Sequence, residues 1–384
     1  MSERDLLMIP GPTNVDPMVL RSMARPTISH TSTAFATVFK ETVADLARIF
    51  QTSGIILPLA GSGTLGAEVA LSNILEPGDK VLAISGGYFG DRLAEISGNL
   101  GATVDKVEVP WGSAARIEDI ERKLTEKAYK AMLVVHVDTS TGVANPVKEL
   151  GSLAKAKGAL FVVDTVCSMG GMDVQVDGWG INVCFTGSQK ALASPPGMTV
   201  ISFDSKALGV REKRRTPPSS YYGDIKRWLP ILQEPTKYFA TPAVNMFYAL
   251  HESCRMILAE GLEERFKRHT KFASAFRAGL KAMGLQLLCE DAVASNTLTV
   301  AYHPKGVSDV EFRKSMAEDY GVVVAGGLGP LKDKAFRVGH MGNVNRSDIL
   351  ATLSAIEGSL GKQAYRFQPG SGVSAANRSL TATI

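Results

Sequence analysis

The sequence predicts an α/β protein: a large domain built on a mostly parallel central sheet, followed by a smaller C-terminal α+β domain. Short apolar runs rich in β-branched residues alternate with longer segments whose apolar residues recur at helical spacing, the pattern of a sheet wrapped by helices. This alternation weakens through the proline-containing stretch from Thr216 to Pro242 and then resumes in a different rhythm. With 384 residues, 45% of them hydrophobic, the chain can bury a large core but exceeds one domain of ordinary size.

The first 20 residues read as an N-terminal arm and 21–261 as the large domain. Gly54 to Ala60 leads into a glycine-rich turn, Gly61-Ser62-Gly63-Thr64-Leu65-Gly66, and a helix rich in Ala, Leu and Glu begins there. Strands are expected at Lys80 to Ile84, Val104 to Val109, Ala131 to Val137, Ala159 to Val163, Asn182 to Phe185 and Thr199 to Phe203. Helices fall between them at Gly90 to Leu100, Ile117 to Ala128 and Val147 to Lys157. A long helical region, Ala243 to Met283, carries the chain into the small domain, 262–362. There, Thr297 to Tyr302, Gly321 to Val324 and Ala335 to Val338 are strand-like, with helices at Val310 to Glu318 and Ser347 to Leu360. The tail, 363–384, is rich in Ser, Ala, Gly and Thr; it has little to bury and reads as a surface arm or a loosely held segment.

Composition narrows the function classes. Lys+Arg 42 against Asp+Glu 38 gives a net charge of +4, too near balance to argue for nucleic acid or an anionic membrane surface. The densest basic run, Arg211 to Arg215, reads as a solvated loop, with a phosphate-binding patch as the alternative. No apolar run approaches the ~20 residues that span a bilayer, and the polar start Met1 to Asp5 does not read as a secretory leader. Cys167, Cys184, Cys254 and Cys289 are widely spaced without a C-x-x-C pair, so neither a metal site nor a disulfide framework is expected. A cytoplasmic protein acting on small molecules is the expectation.

Two residues carry the chemistry. Asp164 closes the apolar run Ala159 to Val163, and Lys190 follows the next one, embedded in small residues. An amine can hold the aldehyde of pyridoxal phosphate as a Schiff base, and an acid can keep its pyridine nitrogen protonated. Each also has a plain structural alternative: a turn acid for Asp164, a snorkelling surface lysine for Lys190. The glycine turn fits a phosphate cradle, in which the first N–H groups of a helix face an anion. It also fits the dinucleotide pattern G-x-G-x-x-G, but that fold needs an acid at the end of the next strand, where this chain has Ser85-Gly86-Gly87. A P-loop would need Gly-Lys-Ser/Thr, which does not follow. Phe89 after one strand and the hydroxyls of Thr139 to Thr141 after another complete a set of groups at strand carboxyl ends, where open α/β sheets bind ligands.

Taken in order, Pro10-Gly11-Pro12-Thr13, Gly61-Ser62-Gly63-Thr64, Ser140-Thr141-Gly142, Val163-Asp164-Thr165-Val166, Gly187-Ser188-Gln189-Lys190-Ala191, Pro195-Pro196-Gly197 and Gly326-Gly327-Leu328-Gly329-Pro330 with Arg337 resemble the class V aminotransferases of the fold-type I pyridoxal phosphate enzymes. The likeness is greatest to alanine–glyoxylate and serine–pyruvate aminotransferases. It implies that Lys190 tethers the cofactor and moves the substrate proton, and that Asp164 pairs with the pyridine nitrogen. By the same resemblance Ser62, Gly63, Thr64 and Gln189 hold the phosphate, Phe89 stacks on the ring and Thr139 reaches the phenolic oxygen. Tyr238 and Thr241 match positions that serve the neighbouring subunit's cofactor, which implies a homodimer with shared sites. Arg337 matches the arginine for the substrate carboxylate, and Gly11 lies in the loop that closes over it.

Two positions depart from the family pattern. Phe89 stands where tryptophan is common, and His30-Thr31-Ser32-Thr33-Ala34-Phe35 lacks the arginine and glutamate of many relatives. The expected activity is a ping-pong transfer from alanine or serine to glyoxylate or pyruvate, since one assigned arginine suits a single carboxylate. Two competing readings are a pyridoxal phosphate lyase or desulfurase, for which Cys289 lies too early, and a nicotinamide-dependent oxidoreductase or silent binding protein using the glycine turn.

Overall fold

A computed structural model describes residues 5–382. The polar start at 1–4 and the last residues of the tail, 383–384, lie outside the described residues. The main sheet has seven strands, in the order Ile55–Ala60, Met198–Phe203, Val183–Gly187, Leu160–Asp164, Ala131–Val135, Lys80–Ser85 and Thr103–Glu108. Met198–Phe203 runs antiparallel to both of its neighbours, and the remaining pairs are parallel. The carboxyl ends of six strands therefore share one edge. Every residue of Ala131–Val135, Leu160–Asp164 and Val183–Gly187 is buried, as parallel strands covered on both faces require. Phe39, Phe161 and Phe247 lie in the core on one face of the sheet, and Val69, Phe185 and Trp228 in that on the other.

The C-terminal unit is a three-stranded sheet, Ala325–Gly326, Ala335–Gly339 and Leu298–Tyr302, covered by Leu262–Ala282, Asp309–Tyr320 and Arg346–Lys362. The N-terminal arm joins it: Leu6–Leu7 pairs in parallel with Val322–Val323, and Met8 is buried in that unit's core. The chain then turns toward the main sheet at Pro10, carrying its next residues to the carboxyl edge of the strands.

Several expectations are corrected. The long helical region is two helices, Val244–Glu260 and Leu262–Ala282, separated by Gly261 at φ +86°. The strand expected to reach Val137 stops at Val135, because Asp138 to Gly142 folds into a turn closed by Gly142 N–H on the Asp138 carbonyl at 2.8 Å. The stretch of weak pattern before Pro242 contains the helix Ile225–Gln233, capped by Asp224 and anchored by buried Trp228. The basic run is not simply solvated: Arg211 is buried against Asp224 at 2.7 Å, and Arg214 donates to the Ser72 carbonyl at 2.7 Å.

The tail also buries more than its composition indicates. Ser371–Thr381 is a helix with Gly372, Ala376 and Leu380 buried, and small residues let it lie close to Leu262–Ala282. A β-carbon on Gly279 would stand 3.0 Å from the Gly372 carbonyl oxygen. Glu357 accepts the N–H groups of Gly370 at 2.7 Å and Gly372 at 2.8 Å, tying down the start of this helix.

Candidate active site

Asp164 ends its strand at the carboxyl edge and is 8% exposed. Its carboxylate accepts the Val166 N–H at 2.8 Å. Burial pushes the carboxyl up to about 7; Asp138 adds to that, while the Val166 N–H, Lys190 and Arg92 oppose it.

Lys190 lies beyond the end of the adjacent strand, Val183–Gly187, in a loop whose backbone is held from several sides. The Ser188 hydroxyl donates to the Pro195 carbonyl at 2.6 Å, Arg265 to the Ala191 carbonyl at 2.8 Å, and Ser253 to the Leu192 carbonyl. The N-terminal segment is laid over it: Thr13 N–H meets the Gln189 carbonyl at 3.0 Å and the Thr13 hydroxyl the Lys190 carbonyl at 2.9 Å. Lys190 Nζ donates to the Pro10 carbonyl, and Gly11, at φ +124°, stands directly above the lysine side chain.

The glycine turn opens the helix Gly63–Ile74. Ser62 is extended and makes no side-chain cap bond, so it leaves the first N–H groups of the helix free of an internal acceptor. Gly63 is required by close packing, since a β-carbon there would stand 2.8 Å from a Val166 methyl. Gln189 Oε1 is buried without a hydrogen-bond partner among the described residues.

Asp138, at the turn after the neighbouring strand, fixes the aromatic wall. It accepts the N–H groups of Phe89 at 3.0 Å and Gly90 at 3.1 Å, while the Ser140 hydroxyl accepts that of Tyr88 at 3.0 Å. Burial raises the Asp138 carboxyl, and hydrogen bonds from Ser140, Gly90 and Phe89 work against the rise. The Thr139 hydroxyl meets Cys167 Sγ at 2.6 Å, and the Thr139 carbonyl accepts from Arg337 at 3.1 Å. A second Arg337 bond reaches the Gly326 carbonyl at 2.8 Å, so this guanidinium from the C-terminal unit sits at the site on backbone carbonyls.

A cavity of about 180 Å³ brings together Ser62, Gly63, Thr64, Phe89, Thr139, Asp164, Gln189 and Lys190. Gly11 and Arg337 adjoin it through Lys190 and Thr139. Tyr238 and Thr241 do not line it; Tyr238 is 66% exposed, with its ring against His30 at 5.5 Å. Residues to which the sequence assigns no role of their own are here too. Arg92 lines the cavity, Pro10 receives the lysine, and Asp138 organises the Phe89 wall. Arg92 was findable, because it follows Phe89 by three residues and so shares its helix face.

Two histidines flank the region without lining the cavity. His136 Nδ1 pairs with the Ser168 hydroxyl at 2.9 Å and His340 Nε2 with that of Thr299 at 2.8 Å. Burial pulls them down to about 4 and about 3, so both are neutral near pH 7.

An acid and an amine on adjacent strand ends, a helix N-terminus at the same cavity and a guanidinium from a smaller unit define an α/β enzyme of the fold-type I class. The family model described as Aminotransferase class-V matches residues 16–332, and the chain belongs to that family. It is 41% identical over 355 residues to an uncharacterized aminotransferase of Methanocaldococcus jannaschii, with 92% of each chain covered. It is 38% identical to the small subunit of a soluble hydrogenase of a Synechococcus species (99% of this chain, 100% of that one), and 34% identical to an alanine–glyoxylate aminotransferase of Oryctolagus cuniculus (92% of each). Among solved structures, the ureidoglycine–glyoxylate aminotransferase of Bacillus subtilis superposes with a TM-score of 0.95 at 34% identity, covering 100% of this chain and 99% of that one.

Proposed function

We propose that the protein is a pyridoxal phosphate-dependent aminotransferase that moves an amino group from a small amino acid, alanine or serine, to a small 2-oxo acid, glyoxylate or pyruvate. The observation that carries this is the convergence of buried Asp164, Lys190 and the start of Gly63–Ile74 on one cavity. The residues fit the cofactor by their chemistry. A carboxyl raised to about 7 by burial gains from a cationic ring nitrogen beside it. Uncapped helix N–H groups and an unpartnered Gln189 side chain suit a phosphate.

In this reading Lys190 holds the aldehyde, Asp164 the ring nitrogen, and Ser62, Gly63, Thr64 and Gln189 the phosphate. Phe89 forms the ring's platform and Thr139 faces its phenolic oxygen. When bound, the cofactor supplies an electron sink that makes the substrate Cα proton labile. The protein's own work is then positional. Lys190 Nζ would be the group that takes up the substrate Cα proton and gives it back. Arg337 orients the substrate carboxylate with a planar fork of N–H donors, and the segment from Pro10 to Thr13 shields the amine from water. One arginine assigned to the substrate, Arg337, suits monocarboxylic partners, and the alanine–glyoxylate relative supports glyoxylate as acceptor.

Exposed Tyr238 with Thr241 supports a homodimer in which each subunit completes its partner's site. The reading also takes 21–261 and 262–362 as large and small domains, 1–20 and 363–384 as arm and tail, and the cytoplasm as the location. Among the described residues, no helix is long and apolar enough to cross a membrane. Against the desulfurase alternative, Cys167, a thiol within reach of the Lys190 charge, is buried, bonded to Thr139 and raised in pKa by burial.

The decisive experiment is spectroscopic. Purified protein should show a visible band lost on borohydride reduction, with a cofactor adduct on Lys190 by mass spectrometry. Colourless protein that takes up no pyridoxal phosphate would end this reading; release of sulfide from cysteine without a keto acid product would redirect it to the desulfurase. A panel of amino donors against glyoxylate, pyruvate and 2-oxoglutarate then assigns the pair.

A further inference from the structure

We infer that Arg92 is a phosphate-binding residue of this site, supplying the positive charge that the glycine turn lacks; the inference rests on the cofactor reading above. Arg92 lies in the helix Tyr88–Asn99 and lines the cavity together with Ser62, Gly63 and Thr64. Among the described residues, Arg92 Nη1 donates to the Thr64 hydroxyl at 3.3 Å, which places the guanidinium at the mouth of the cradle. The acid beside it in sequence, Asp91, is engaged with Lys106 at 3.1 Å and the Ser85 hydroxyl at 2.9 Å, leaving Arg92 without that competitor.

The guanidinium is also held in place. Its central carbon is 4.8 Å from the Phe89 ring centroid and 5.2 Å from that of Tyr88, a cation–π arrangement that limits where a long side chain can go. Phe89 is itself fixed through its backbone by Asp138. Arg92 and Lys190 are the two cations lining the cavity, and both act on the charge of Asp164. Lys190 is committed to the aldehyde. A dianionic phosphate held by helix N–H groups, hydroxyls and an amide alone would sit without a countercharge, and Arg92 is the group placed to provide one. With phenylalanine at the platform position, the aromatic ring then serves two purposes: one for the cofactor and one for aligning the arginine.

The test compares two probes that differ only in the phosphate. Pyridoxal 5′-phosphate and pyridoxal are titrated into cofactor-stripped wild type, Arg92→Gln and Arg92→Lys, with binding read by absorbance and the bound phosphorus by its ³¹P resonance. Arg92→Gln should weaken pyridoxal phosphate by at least about tenfold, equivalent to ~1.4 kcal/mol, and shift the phosphorus resonance, with pyridoxal binding unchanged. Arg92→Lys should recover part of the loss. Equal weakening of both probes would assign Arg92 to the Phe89 wall alone, and unchanged binding of both would remove it from the site; either result overturns the inference while leaving the cofactor reading intact. Failure of wild type to bind either probe would overturn the cofactor reading itself, and the inference with it.

Discussion

Gly11 stands over Lys190 so closely that a β-carbon on it would lie 2.7 Å from the lysine nitrogen. The backbone there is at φ +124°, a conformation open to glycine and costly for other residues. Gly11→Ala therefore strains the segment by ~1–3 kcal/mol and displaces the amine. Amino transfer should fall by about 100-fold, as misplacement of a reacting group does. Steady-state rates paired with urea unfolding check this, and undiminished turnover would mean that the segment does not cover the lysine in solution.

The Asp164 carboxyl gives a signed pH dependence. Its pKa is raised from 3.8 to about 7 in the folded chain, so the folded state holds the proton more tightly than the unfolded one. That stabilisation is complete below about pH 4 and lost as pH rises through about 7. Asp164→Asn keeps the shape without the charge. Cofactor-free variant and wild type should be equally stable near pH 4, with the variant ahead by up to roughly 4 kcal/mol at pH 8, measured by urea unfolding across that range. A gap that opened toward acid instead would contradict the assignment.

Arg337 makes its two bonds to backbone carbonyls and has no carboxylate partner among the described residues. Arg337→Gln should raise KM for both amino donor and oxo acid by about 10- to 100-fold, the loss of a charge-assisted pair of hydrogen bonds, without altering the cofactor's absorption. Unchanged KM values would place the substrate carboxylate elsewhere.

Glu357 accepts three N–H groups at the start of the last helix, from Gly370, Gly372 and Val373. Glu357→Ala should cost ~1–3 kcal/mol of stability and speed proteolysis within the tail. Cofactor uptake should remain as in wild type, because this contact lies on the C-terminal unit away from the cavity.

The legible part of the site was local. Asp164 and Lys190 each follow a single apolar strand, and the glycine turn precedes a single helix, so short stretches of sequence placed them at strand ends. The roles of Arg92 and Asp138 are contacts between elements, which short stretches of sequence do not record: Arg92 meets Thr64 across helices, and Asp138 caps a helix 48 residues before it in the chain.

The same distinction explains the fold. Apolar periodicity determined the strands and most helices of the main sheet, because a strand buried on both faces must be apolar along its length. Composition misjudged the tail, since Gly372 and Ala376 contribute by letting helices approach rather than by bulk. The sequence alone therefore determined the sheet, its carboxyl-edge acid and lysine, and the family they belong to. Only the tertiary structure decided that Pro10 receives the lysine, that Arg337 rests on the Thr139 and Gly326 carbonyls and that Arg92 faces the glycine turn. Those are through-space relations among segments far apart in the chain, fixed by packing and hydrogen bonds that no local pattern records.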